Sequence, residues 1–100
     1  MKKEIYREIS KRLVEHGQGQ LSLDPAVMIW HQVIGETLEE YRRDGWDNKA
    51  RLLELRYFEG MTEEQVEEEL HISHGAYWKW KRDTFATLAA KAAWHRLVKP

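Results

Sequence analysis

Cysteine is absent from this chain. Disulfides and thiolate metal sites are therefore excluded, which fits a reducing cytoplasm. No apolar run approaches the roughly 20 residues needed to span a bilayer, and Met1-Lys2-Lys3 leads into charged sequence where a signal peptide would place its apolar core. The expectation is a soluble, cytoplasmic protein with no membrane partner. Internal repeats, low-complexity stretches and strand-like alternation are missing as well, which leaves an all-α fold. A strong net charge is lacking too: 16 Lys and Arg stand against 17 Asp and Glu, for a formal charge of −1. That balance alone argues against a uniformly basic nucleic-acid binder.

The charge is unevenly spread. From Thr62 to Leu70 every charged residue is acidic: Glu63, Glu64, Glu67, Glu68 and Glu69. From His71 onward the charges are Lys79, Lys81, Arg82, Lys91, Arg96 and Lys99 against Asp83. A solvated acidic face beside a solvated basic one is the bland reading. Three cations clustered within four residues favour a functional one.

One hundred residues make one small domain, or two very small helical units sharing a core. Lys2 to His16 reads as a helix with Ile5, Ile9, Leu13 and Tyr6 along one stripe, ended by the Gly17 to Gln20 stretch. Leu21 to Asp24 is the natural hinge. Asp24 before Pro25 starts a second helix, which runs to about Asp44 with Val27, Ile34, Leu38 and Tyr41 toward the core, and Gly45 stops it. Asp47 is expected to cap a third helix carrying Ala50, Leu53, Leu55, Tyr57 and Phe58, terminated by Gly60. These spans divide into an N-terminal helical segment, 1–45, for packing or dimerisation, and a segment 46–100 that carries the chemistry.

The second segment is organised around Arg51 to Leu88. Thr62 and, three residues later, Gln65 form a capping-box pair for a two-turn helix that turns Val66 and Leu70 inward. After His71-Ile72, with Ile72 available to plug the core, Ser73 is a good cap for a second helix. On that helix Tyr77, Trp80, Thr84 and Leu88 fall on an inward stripe, leaving His74, Gly75, Trp78, Lys79 and Arg82 outward. Two helices joined by a short turn, the second basic and aromatic, make a DNA-binding helix-turn-helix. No breaker lies between Thr84 and Leu97, so the last helix is expected to run unbroken to about Val98, either overhanging the domain or folding back on the first helix.

The stretch LLELRYFEGMTEEQVEEELHIS followed by YWKWKRDTFATLA resembles region 4 of sigma-70-type factors, and more closely the ArpU/RinA-type transcriptional regulators of phages and prophages. The resemblance spans roughly Lys49 to Ala90. It rests on the Arg56 to Gly60 turn, the Thr62 cap and the Tyr77-Trp78-Lys79-Trp80 run. Three positions depart from it: Glu67 where those families place a small Ala, His71 where they place Gly, and His74-Gly75-Ala76 where Arg, Ser and Thr are usual. His visits positive φ more readily than most residues, and Gly75 offers no side chain to a base edge.

The resemblance implies a small transcriptional regulator that inserts residues 73–88 into the major groove of double-stranded DNA. Its DNA-binding residues would be Ser73, His74, Trp78, Lys79, Lys81 and Arg82, with the three cations on phosphates and His74 and Trp78 nearest the base edges. So few cations imply a homodimer or a contact with RNA polymerase. The alternatives are a protein-interaction module using the same helix, or a phage DNA-packaging subunit. Trp78 then meets either DNA or protein. His71 and His74 lack a third ligand nearby, and the glutamates lack a nucleophile, so no metal, cofactor or catalytic role is expected. Trp30, Trp46 and Trp80 are expected in the core.

Overall fold

The computed structural model describes residues 1–20 and 22–99, so Leu21, at the start of the expected hinge, lies outside the described residues. The fold is all-α. Among the described residues five α-helices and one π turn follow in order: α1 (Lys3–Gly17), α2 (Pro25–Arg43), α3 (Asp47–Leu53), the π turn (Glu54–Phe58), α4 (Glu63–Leu70) and α5 (His74–Trp94). None of the helices is long and apolar enough to cross a membrane among the described residues.

Local hydrogen bonds set most of the starts. Asp24 accepts from the Ala26 amide with Pro25 at the first helical position, and Ser73 accepts from the Ala76 amide. Thr62 and Gln65 satisfy each other's backbone amides at 3.2 and 2.9 Å, the reciprocal box expected of them. At α3 the expectation fails. Trp46 occupies the cap position with no side-chain bond, and Asp47 is the first helical residue, where its charge instead favours the helix dipole.

The ends share one device. A residue with positive φ, namely Gly19, Gly45, Gly60, His71 or Arg96, is followed each time by an amide that reaches back over the last turn. The bonds are Gln20 to Glu15, Trp46 to Tyr41, Met61 to Leu55, Ile72 to Glu67 and Leu97 to Ala92. The Met61 bond spans one residue more than the others because the π turn precedes it, marked by the Glu59 amide on the Glu54 carbonyl. The third helix is thus not uniform through Phe58 as expected. Its wider turn lets Leu52, Leu53, Leu55 and Tyr57 all be buried.

A single core joins the two segments. Ile9 and Leu13 of α1, Trp30, Val33, Ile34 and Leu38 of α2, the buried leucines of α3 and the π turn, Val66 of α4, and Tyr77, Phe85, Leu88 and Ala92 of α5 form it. α5 does not overhang. It lies against α1, α2 and α3, with Lys91 Nζ 2.7 Å from Glu40 Oε2 of α2. It stops at Trp94, short of the expected Val98, because Arg96 turns the chain at φ 58° and sends Leu97 and Val98 back onto the core. Trp30 is buried and Trp80 half-buried, but Trp46 is 55% exposed. The Trp46 ring lies instead under the Lys49 ammonium, 4.7 Å from its centroid.

Candidate nucleic-acid interface

The α4–turn–α5 unit presents the candidate face. α4 ends at Leu70, His71 takes the left-handed conformation at φ 54° and ψ 46°, and α5 begins at His74. Ile72, between them, packs against the core. The turn is therefore short and pinned on both sides.

On the first two turns of α5, His74, Gly75, Trp78, Lys79 and Arg82 are exposed and Tyr77 is buried, the phase expected for the outward residues. Neither Lys79 nor Arg82 forms an ion pair among the described residues. Ser73 is exposed, and its hydroxyl already accepts the Ala76 amide at 3.1 Å. His74 uses both ring nitrogens. Its Nδ1 lies 3.0 Å from Glu67 Oε1, and its Nε2 accepts from Trp78 Nε1 at 2.9 Å. This pattern requires the proton on Nδ1 when the ring is neutral. The indole stands edge-on to both His74 and Tyr77, so Trp78, 39% exposed, is held as a fixed projection.

Lys81 corrects the expectation that placed it on the outer face beside Lys79 and Arg82. It is only 4% exposed. Its ammonium sits among five aromatic rings, 4.9 Å from the centroid of Trp78 and 5.2 Å from that of Tyr6, with Tyr57, Phe85 and Tyr77 at 5.8, 5.8 and 5.9 Å. Glu63 Oε1 is 3.8 Å away. Five rings and one carboxylate surround the charge, so Lys81 does not stand on the outer face with Lys79 and Arg82, where a DNA backbone would lie. Burial beside Glu63 pushes the Tyr77 hydroxyl up to about 12.

The acidic helix is less free than its composition implies. Glu63, Glu67 and Glu69 are paired with Lys81, His74 and Arg51, which leaves Glu64 and Glu68, both exposed, as the α4 glutamates without an ion pair among the described residues. The structure adds a neighbour that reasoning on residues 51–88 could not find. Met1 and Tyr6, at the start of the chain, line one pocket with Trp78 and Arg82, and the adjoining Lys2, Lys3 and Arg7 are exposed. Among the described residues no group of three or more His, Asp or Glu could hold a metal ion.

No family model matches the chain, and no curated protein or solved structure matches it either.

Proposed function

We propose that this chain is a small DNA-binding transcriptional regulator, of phage or prophage origin, that inserts the first half of α5 into the major groove of double-stranded DNA. The observation that carries this reading is the exposed set His74, Trp78, Lys79 and Arg82, which projects from a helix held by a short, core-pinned turn. In this reading Lys79 and Arg82 meet phosphates. Trp78 offers an apolar edge to a thymine methyl. His74, bonded on both sides, orients Trp78 and does not itself read a base. Lys81 leaves the set of DNA contacts and becomes the residue that anchors α5 to α1 and α4.

Two phosphate contacts from α5 give a slope of log affinity against log salt of only about −2, and Lys2 and Lys3 bring it to about −3 to −4. Binding so weak calls for a homodimer or a simultaneous contact with RNA polymerase. A second reading is favoured by Glu64 and Glu68, exposed on the helix next to the candidate face. They would repel a DNA backbone and attract a basic protein surface, making the unit a docking module.

The test is fluorescence anisotropy of a labelled mixed-sequence duplex across a salt series. The expected result is salt-sensitive binding that Lys79→Ala/Arg82→Ala weakens, with a slope shallower by about 2, while Trp78→Ala changes sequence preference more than slope. A folded protein that binds no duplex at low salt would overturn the reading and leave the docking module.

A further inference from the structure

Lys81 is the one buried charged side chain among the described residues. Its carboxylate partner, at 3.8 Å, is beyond hydrogen-bond length. An ammonium carries three donors, and a buried charge short of hydrogen bonds is costly. Rings attract such a cation by their faces but accept no proton from it in the way an oxygen does. The ammonium of Lys81 is thus held by charge and rings, with its donors free to take an oxygen acceptor from the pocket it lines.

Lys81 lines a pocket of about 270 Å³ together with Met1, Tyr6, Trp78, Arg82 and Phe85. Tyr6 and Phe85 lie with ring centroids 4.8 Å apart and planes tilted by 33°, and supply an apolar wall. Trp78 and Met1 extend it. The polar chemistry is of one sign, with Lys81 buried and Arg82 exposed at the opening, and no carboxylate lines the space. Two cations exclude a cationic ligand, and the apolar walls fit poorly with a bare inorganic anion. The volume is below the roughly 300–1,000 Å³ of sites for drug-sized ligands, so one or two fused rings fill it.

We propose that this pocket binds a small planar aromatic carboxylate. Its ring lies against Tyr6, Phe85 and Trp78, and its carboxylate accepts from Lys81 Nζ and the Arg82 guanidinium. The proposal does not rest on DNA binding, although Trp78 and Arg82 are shared with the candidate DNA face.

The test is a titration of the whole chain, followed by the indole and backbone resonances of Trp78 and Arg82, with three probes of one shape: 2-naphthoate, the neutral 2-naphthamide and the cationic 2-naphthylmethylamine. The expected result is that naphthoate shifts these resonances and binds at least tenfold more tightly than the amide, and that the amine does not bind. Lys81→Met keeps an unbranched side chain, one atom shorter, and removes the charge. It should bring the acid down to the affinity of the amide and leave the amide unchanged. Arg82→Gln, at an exposed position, should weaken the acid several-fold and decides the matter should Lys81→Met fail to fold. Equal affinity for acid and amide, or no shift at Trp78 with millimolar naphthoate, would overturn the proposal.

Discussion

α1 is pinned at both ends by a buried or half-buried base among aromatic rings, and the two ends treat positive charge in opposite ways. At its N-terminal end Tyr6 joins the ring cluster around the Lys81 ammonium, with Glu63 at 3.8 Å. At its C-terminal end His16 packs on Phe58, and its Nδ1 lies 3.0 Å from Nδ1 of His31. No carboxylate is hydrogen-bonded to either imidazole among the described residues. One end therefore welcomes a charge that the other rejects. A buried base is stable or acid-sensitive according to what faces it, not according to how deeply it lies.

The largest expected effect comes from emptying the charged end. Lys81→Ala removes the cation from five rings, orphans Glu63 and leaves a void where the four-carbon stem packed. We expect a loss of about 2–4 kcal/mol in urea unfolding. Lys79→Ala, two residues away and in water, should change stability by no more than about 0.5 kcal/mol. Lys81→Met should lie between them, within about 1.5 kcal/mol of the natural protein, because it refills the volume and a thioether packs well on rings. If Lys81→Ala costs no more than Lys79→Ala, the charged end is not an anchor and the comparison fails.

Next in size is the contact that seats the other end. A Cβ built on Gly17 would lie 2.5 Å from the Phe58 ring and 2.7 Å from the Phe58 backbone. The second distance matters more, because backbone cannot swing aside. Gly17→Ala should cost about 1–3 kcal/mol by overpacking. Gly35, in the middle of α2 with open space around it, makes the control, and Gly35→Ala should stabilise by up to about 1 kcal/mol through helix propensity. Comparing the two unfolding midpoints separates close approach from propensity. Two stabilised variants would mean that α1 does not bear on the π turn at Gly17.

What could be read from residues alone divides along the same line. The caps at Asp24, Thr62 and Ser73 and the stop at Gly60 depend on bonds within a few positions, and each was legible. Gly17 closes α1 as the expected stop does, yet its smallness also serves Phe58, forty-one positions away, which no local pattern announces. The π turn and the exposure of Trp46 depend in the same way on how α3 meets its neighbours. Lys81 is the instructive case. It stands four residues after Tyr77 and three before Thr84, so helical phase alone puts it on the inward stripe. Its charge hid what its spacing stated, and the rings that receive it come partly from Tyr6 of α1 and Tyr57 of the π turn.

The gentlest probe is acid. Burial, reinforced by the His31 ring, holds the His16 imidazole below its usual range. Folding therefore favours the neutral ring, and the unfolded chain binds more protons wherever the two states differ. The stabilisation is complete above the ordinary histidine value of about 6.5 and is lost as pH falls below it toward the lowered value. Urea midpoints measured between pH 7.5 and 5 should decline with acid in the natural protein. In His16→Gln, which keeps a hydrogen-bonding side chain facing His31 without a charge to gain, the decline should flatten. Lys81→Met, which leaves the His16–His31 pair untouched, sets the contrast and should leave the slope as it is. An undiminished slope in His16→Gln would assign the acid sensitivity to another group and remove the imidazole pair as the reason the two ends differ.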